Sequence, residues 1–271
     1  MLKRTITGVA LIAVLVVVLL FLPAIYSAIL VALMAWIAAE ELLKTTGLVD
    51  NRRLIGYAQI LSMCVVTVSY FGVDYARVLA VLLVFTVLCF AEMLISHGKL
   101  PFQQIAMTMV AGLLIPFLLS ALVRIRVMEN GVFVIAAPFV MAFLPDTGAY
   151  LVGSAFGKHK LCPVISPKKT VEGLFGGILG GIVGMIAYGL VLQHFFGFTV
   201  NYLFAALYGA LGAGGATFGD LMFSVIKRQT GIKDYGKLLP GHGGILDRFD
   251  SVTIVAPLAE VLLLILPLAV K

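Results

Sequence analysis

The sequence has few charged residues for its length. Only 12% of its 271 residues are Asp, Glu, Lys or Arg, whereas about a quarter of the residues of a soluble domain are charged. Hydrophobic residues make up 62% of the chain, which exceeds the roughly half found in soluble domains. This composition excludes both a water-soluble globular protein and a disordered chain.

Cysteine is also scarce. The three cysteines are an odd number, and Cys64 and Cys89 lie inside apolar stretches, where free cysteine packs as a small hydrophobic residue. A disulfide-rich scaffold is therefore excluded, and no structural disulfide is expected.

Long apolar stretches separate the few charges. A helix needs about 20 apolar residues to cross a bilayer, so we predict an all-α polytopic integral membrane protein with about nine transmembrane helices. The first stretch follows a basic start, but its length and the closely following second stretch favour a retained helix over a cleaved signal peptide. The predicted spans are residues 6–23, 25–44, 54–73, 76–96, 103–123, 132–155, 171–193, 201–223 and 251–270.

Lysine and arginine are distributed unequally between the two sides of these spans. When consecutive connections are assigned to opposite sides, fifteen of the nineteen basic residues, including Lys3 and Arg4, fall on the side of the amino terminus. The other side receives Arg77, Arg124, Arg126 and Lys271. Because basic loops stay in the cytoplasm, we expect a cytoplasmic amino terminus in a multi-pass protein of the cytoplasmic (inner) membrane.

The two halves of the chain differ in character. Residues 1–140 have short connections, and we interpret them as a scaffold with a role in lipid access or dimer formation. Residues 141–271 contain two polar connections, 156–170 and 224–250, on the predicted cytoplasmic face, so we expect the catalytic region there. Three carboxylates of the first half lie near span ends and are interpreted as interfacial: Glu40, Glu41 and Glu92.

Four aspartates stand near the predicted cytoplasmic ends of spans. Asp146 closes span six and Asp220 closes span eight, while Asp247 and Asp250 lie in the segment that runs into span nine. If this segment is helical from about Leu246, the two aspartates are three residues apart and share one face of the helix. Helix capping is the alternative for this last pair. An oxygen-rich set without a Cys/His pattern fits Mg²⁺ and disfavours zinc. We predict that Asp220, Asp247 and Asp250, with Asp146 as a fourth carboxylate, bind Mg²⁺, alone or with a second cation.

Two polar clusters have the composition of phosphate-binding loops. The glycines around His242 permit close backbone approaches, which suits a loop wrapped on phosphates. Lys168 and Lys169 directly precede a predicted helix start, where ammonium groups and free amides suit phosphate, although an interfacial anchor explains them equally well. Glu172 complements the positive end of the same helix.

Glycines form two ridges on the seventh predicted span. Small residues every fourth position allow close helix contact in lipid, so we predict packing within a subunit or across a dimer. The ridges are Gly173, Gly177 and Gly181, and Gly176, Gly180 and Gly184.

Two regions together resemble a known family. Residues 224–250 read SVIKRQTGIKDYGKLLPGHGGILDRFD, and this stretch looks like the signature of phosphatidate cytidylyltransferases, also called CDP-diacylglycerol synthases. The segments DTGAY at 146–150, FGKHKL at 156–161 and ISPKKTVEG at 165–173 also resemble that family.

The resemblance implies transfer of a cytidylyl group from CTP to phosphatidate by an Mg²⁺-dependent, dimeric enzyme of the lipid bilayer, with no nucleic-acid partner. The catalytic residues it implies are Asp220, Asp247, Asp250, His242, Lys227 and Arg228. The substrate-binding residues it implies are Ser166, Lys168, Lys169, Thr170, Glu172, Lys233, Gly243, Gly244 and Arg248.

Two other functions stay open on the sequence. A CTP-dependent kinase of a polyprenol or another lipid alcohol would share CTP and Mg²⁺ but release CDP. A secondary transporter would fit nine spans, but transporters bind near the bilayer midplane and often repeat their halves. Here the halves differ and the polar residues crowd one interface, which favours the enzyme. The Asp-Gly-x-x-Ala-Arg element of CDP-alcohol phosphotransferases is not found in the sequence.

Overall fold

The computed structural model describes residues 2–271, with side chains from residue 7 onward. The side chains of Lys3 and Arg4, which the charge count includes, lie outside the described residues. The helices are α1 (Leu2–Val16), α2 (Ala24–Glu40), α3 (Arg52–Phe71), α4 (Tyr75–Ile95), α5 (Phe102–Met109), α6 (Ile115–Leu119), α7 (Ala121–Val127), α8 (Gly131–Val134), α9 (Ala137–Phe156), α10 (Val171–Phe196), α11 (Tyr202–Gln229) and α12 (Leu246–Ile265). Single π-helical turns follow α1, α2 and α5 at Val17–Phe21, Glu41–Thr45 and Val110–Leu114.

Seven helical segments within residues 2–271 have the length and apolar composition to cross a membrane. They are Ala24–Thr45, Arg52–Phe71, Tyr75–Ile95, Phe102–Val127, Gly131–Phe156, Val171–Phe196 and Tyr202–Gln229, which correspond to predicted spans two to eight. The first predicted span contains a shorter apolar helix, Thr7–Phe21. The ninth corresponds to α12, which carries Asp247, Arg248, Asp250 and Glu260 in its twenty residues. The multi-pass helical architecture is confirmed, and the count of nine stays a prediction.

Two small antiparallel sheets depart from the purely helical prediction. Strands β1 (Lys160–Cys162) and β2 (Ser166–Thr170) form a hairpin, since Pro163 and Pro167 do not suit a helix interior. Strands β3 (Thr199–Val200) and β4 (Ala269–Val270) pair farther along the chain. The last helix ends at Ile265, ahead of Pro267, because the residue before a proline is pushed away from helical geometry.

The chain divides into two compact units. The first comprises residues 1–129 and 227–249. Within it, α2 and α3 form the most extensive helix pair, and Gly112 lies so close to Ala58 of α3 that a side-chain Cβ there would fall 2.8 Å from the Ala58 Cα. The π-helical turn that contains Gly112 therefore packs against α3 at backbone distance.

The second unit comprises residues 130–226 and 250–271. Within it, α9 packs along α10, and the glycine ridges of α10 lie at this contact: Gly176 lies against Val152, and a Cβ at Gly180 would fall 3.1 Å from the Gly148 Cα. Gly181 meets Gly209 of α11 in the same way. The packing prediction for the ridges is confirmed, and these contacts are made within one subunit.

Candidate active site

Asp247 organises the polar segment that precedes helix α12. It lies in the first turn of α12, and its side chain is 3% exposed. Its Oδ1 pairs with Lys227 Nζ at 3.0 Å. Its Oδ2 accepts the backbone amides of Tyr235 at 2.7 Å and Gly244 at 3.0 Å. Both carboxylate oxygens thus have partners, and the segment from Tyr235 to Gly244 packs its backbone against them.

The glycines of this segment have the backbone conformations that the sequence suggested. Gly241 and Gly243 have φ values of 76° and 85°, which side-chain-bearing residues rarely adopt. A Cβ at Gly243 would also fall 2.7 Å from Asp247 Oδ2. Glycine is required here to bring the backbone onto a buried carboxylate.

His242 and the basic residues of this segment differ in exposure. The His242 ring lies against Gly8 of α1, and no described residue provides a hydrogen-bond partner for its buried Nδ1. Arg248 donates from Nε to the His242 carbonyl at 2.7 Å, while its side chain is exposed. Arg228 and Lys233 are exposed as well, so all three cations are accessible to an anionic ligand.

The second unit holds a separate group of charges. Lys169 Nζ pairs with Asp220 Oδ2 at 2.6 Å, and the two side chains are 23% and 30% exposed. Asp146 of α9 lies within electrostatic range of both. Ser224 adds a hydrogen bond to Asp220 Oδ1 at 3.4 Å. The structure therefore brings two of the predicted carboxylates, Asp146 and Asp220, together around a lysine.

Strand β2 separates the two neighbouring lysines. Successive side chains of a strand point to opposite faces, so Lys169 turns to Asp220 while Lys168 lies on the other face. Ser166 and Thr170 share the face of Lys168, but Lys168 is exposed, Ser166 is half-buried and Thr170 is buried. The Thr170 hydroxyl caps α10 by accepting the Gly173 amide at 3.1 Å. Of these residues, Lys168 is the one placed as an accessible cation.

Glu172 is occupied by the turn that precedes β1. Its carboxylate accepts the amides of Lys158 at 3.1 Å and His159 at 3.2 Å, and His159 Nδ1 lies 2.6 Å from Oε1. These contacts hold residues 157–159 against the start of α10. The side chain has the anionic role at a helix start that the sequence suggested, and substrate contact by Glu172 stays a prediction.

Asp250 lies on α12 in the second unit and is 9% exposed. Its Oδ1 accepts the Ser251 amide at 2.7 Å. Gly219 brings α11 against this point, since a Cβ there would fall 2.8 Å from the Asp250 carbonyl oxygen. Asp220 follows Gly219 directly. Helices α11 and α12 therefore make contact at Asp250 and at the residue next to Asp220.

Glu41 and Glu92, which lie near the ends of predicted spans, are both buried inside the protein. Glu92 is 8% exposed and pairs with Arg53 at 3.3 Å. Glu41 is 7% exposed and accepts the backbone amides of Ile245 at 3.0 Å and Leu246 at 2.9 Å. By contrast, Glu40 is only half-buried: it pairs with exposed Lys44 at 3.0 Å and accepts a hydrogen bond from Gln59 Nε2 at 3.1 Å.

The sequence of α2 did not identify the burial of Glu41, because apolar residues lie on all faces of this helix. Ser27, Val31, Met34 and Ala38 are buried at alternating spacings of four and three residues along α2, and Glu41 continues this stripe by one more turn. A residue on the stripe that packs against the unit is expected to be buried.

The donor chemistry of the carboxylates fits a hard cation such as Mg²⁺. Asp220 and Asp247 each already accept a lysine ammonium, so each faces a positive group. In the part of the chain that the structure describes, no group of three or more His, Cys, Asp or Glu side chains is close enough to hold a metal ion. The four-aspartate site stays a prediction.

A multi-pass helical protein with lysine–aspartate pairs and accessible cations near helix ends has the groups of a membrane enzyme that handles phosphates. The chain belongs to the cytidylyltransferase family, which matches residues 2–266. The family prediction made from the two motif regions is thus confirmed, and with it the assignment to the nucleotidyltransferases.

The chain is similar to several bacterial proteins. A phosphatidate cytidylyltransferase of Staphylococcus epidermidis is 34% identical over 234 residues, which cover 86% of this chain and 87% of the relative. A protein of the same name from Staphylococcus aureus is 44% identical over 143 residues, or 50% of this chain and 51% of the relative. One from Staphylococcus haemolyticus is 44% identical over 136 residues, with the same coverage.

Proposed function

We propose that this protein transfers the cytidylyl group of CTP to phosphatidate, giving CDP-diacylglycerol and pyrophosphate for phospholipid synthesis. Family membership and the names of the relatives support this reaction. The observation that carries it is the pairing of a lysine with an aspartate in each unit: Lys169 with Asp220 at 2.6 Å and Lys227 with Asp247 at 3.0 Å. Phosphate transfer depends mainly on such positioned charges.

The reaction breaks one phosphoanhydride bond and forms another. An oxygen of the phosphatidate phosphate attacks the α-phosphorus of CTP, and the bond from that phosphorus to the oxygen bridging toward the β-phosphate breaks. The electron pair of the broken bond leaves with pyrophosphate. Phosphatidate is already anionic near neutral pH, so no general base is required, and we assign His242 to hydrogen-bonding a phosphate oxygen.

The accessible cations are proposed to bind the substrate phosphates. Arg228, Lys233, Arg248 and Lys168 are exposed, and charge-assisted hydrogen bonds to phosphate are about twice as strong as neutral ones. Lys169 and Lys227 are engaged by carboxylates, so their proposed role is to balance charge beside the reacting groups.

We propose that Asp220, Asp247 and Asp250, with Asp146, bind Mg²⁺. The cation would offset the negative charge that builds on the phosphate oxygens. Chelation should therefore abolish turnover, and added Mg²⁺ should restore it. If Asp220→Asn and Asp247→Asn variants both kept near-normal Mg²⁺-dependent turnover, this ligand set would be wrong.

We further propose nine spans, a cytoplasmic amino terminus and active site, residence in the cytoplasmic membrane, and a homodimer. The bias of basic residues supports this orientation. Reporter fusions test it: alkaline phosphatase joined after Lys271 should be active, whereas phosphatase inserted at Lys233 should be inactive. An inactive carboxyl-terminal fusion would contradict nine spans with a cytoplasmic amino terminus.

The decisive assay uses purified protein in detergent with labelled CTP and phosphatidate, with and without Mg²⁺. We expect a lipid-linked CMP product and pyrophosphate in equal amounts. Release of CDP with a phosphorylated lipid alcohol would instead identify a CTP-dependent lipid kinase. The absence of any lipid-linked CMP would refute the proposal.

A further inference from the structure

Glu41 lies far in sequence from both motif regions but contacts the start of helix α12. Its Oε1 accepts the Ile245 amide at 3.0 Å and its Oε2 accepts the Leu246 amide at 2.9 Å. The amides at a helix start have no acceptor within the helix. The Glu41 carboxylate, which belongs to a different segment, provides an acceptor for two such amides. The π-helical turn Glu41–Thr45 begins at this residue, and such turns often occur at functional sites.

Two glycines make room for the Glu41 carboxylate. At Gly236 and at Gly244, a Cβ would overlap with Glu41 Oε1. The amide of Gly244 in turn donates to Asp247 Oδ2 at 3.0 Å. One short segment is thus held between two buried carboxylates, Glu41 on one side and Asp247 on the other.

This arrangement makes the geometry around Asp247 depend on Glu41. Asp247 lies one residue after Leu246, whose amide Glu41 binds. The amides of Tyr235 and Gly244 that bind Asp247 belong to the same segment. If the Glu41 carboxylate is lost, the amides of Ile245 and Leu246 are left without their acceptor in a buried place, and the segment must move to find another.

We propose that Glu41 is a positioning residue for cytidylyl transfer: it fixes residues 235–246 and thereby the orientation of the Asp247 carboxylate. The inference rests on the proposed function, because it assigns Glu41 a part in that same reaction. Glu41 contacts no reacting group in this role, and it acts through the backbone that it holds. Small displacements of such a group cost on the order of 10²-fold in rate.

The test compares Glu41→Gln with Glu40→Gln. Glutamine keeps the volume of Glu41 but replaces one carboxylate oxygen with an NH₂ group that would face a backbone N–H. We expect kcat per folded molecule to fall roughly ten- to hundredfold, with little change in KM for CTP, as for an interaction that matters mainly in the transition state. The neighbouring Glu40, which pairs with exposed Lys44, is the matched control and should leave turnover unchanged.

A double-mutant cycle adds a readout that general destabilisation does not produce. Gly236→Ala places a methyl group against Glu41, so it should lower turnover at least tenfold in the wild-type background. In a Glu41→Ala background the carboxylate is absent and only the close approach to the Gly244 Cα, at 3.0 Å, remains, so the same change should cost clearly less than in wild type. Equal losses in the two backgrounds would contradict the proposed contact.

Hydrogen exchange separates this inference from the proposed function. The Ile245 and Leu246 amides should exchange faster in Glu41→Gln than in wild type, whether or not the protein makes CDP-diacylglycerol. If wild type makes no such product, the proposed function fails, and the exchange result still decides whether Glu41 holds the segment. Unchanged exchange, or a lower thermal midpoint with unchanged kcat per folded molecule, would overturn the positioning role.

Discussion

Replacing Lys227 by methionine should test the buried ion pair with Asp247. The two side chains are 12% and 3% exposed, and Lys227 Nζ lies 3.0 Å from Asp247 Oδ1. Removing one partner of a buried pair leaves an uncompensated charge and typically costs about 3–5 kcal/mol, whereas exposed pairs contribute about 0–1 kcal/mol. Because Asp247 keeps its two backbone amides, we expect a loss near 3 kcal/mol.

The measurement is the free energy of unfolding of purified protein in detergent, followed by circular dichroism under denaturant. Lys44→Met is the matched control, since Lys44 and Glu40 form an exposed pair with 68% and 41% side-chain exposure. This control should lose less than about 1 kcal/mol. The double variant Lys227→Met with Asp247→Asn should lose less than the sum of the two single losses. A loss below about 1 kcal/mol for Lys227→Met, or strict additivity in the double variant, would refute the reasoning.

Three further changes test the second unit by unfolding measurements. Gly176→Ala should lower the free energy of unfolding by about 1–3 kcal/mol, because its Cβ would overlap with a valine side chain of α9. Gly214→Ala, whose Cβ would have nothing within 4 Å, should raise it by about 0.5–1 kcal/mol, and equal effects would contradict the packing. Lys169→Met should lower the free energy of unfolding by about 1–2 kcal/mol, less than for a fully buried pair, because its ion pair with Asp220 is partly exposed. Exposed Lys168→Met should lower it by less than about 0.5 kcal/mol, and the reverse order would refute the assigned strand faces. Thr170→Val should lose about 1 kcal/mol of helix capping that Thr170→Ser keeps, and equal losses would contradict the cap.

Helix positions were predictable because hydropathy is a local property. Predicted spans two to eight each correspond to a helix long and apolar enough to cross a membrane, whereas α12 covers Leu246–Ile265 and so begins and ends about five residues before the predicted ninth span. The two small sheets were missed, because strands of two to five residues leave no periodic pattern. The seventh-span ridges were interpreted correctly as packing, since glycine spacing directly expresses close helix contact.

The candidate site was predictable in composition but not in pairing. The motif regions around Lys169 and Asp247 were identified from residue types that bind phosphate and cations. Which lysine meets which aspartate depends on strand faces and on helices that are distant in the chain: Lys227 and Asp247 are 20 positions apart. Sequence spacing does not contain that information.

The order of residues along the chain was enough to establish a multi-pass helical membrane protein of the cytidylyltransferase family, because apolar stretches and motif spacing are properties of short segments. The role of Glu41 required the folded chain. Its carboxylate meets the Ile245 and Leu246 amides across 204 and 205 positions, and it does so because packing buries the stripe of α2 on which it lies. Hydrogen bonds of this kind form only after the helices have packed, since a buried carboxylate takes its partners from the neighbours that packing brings to it.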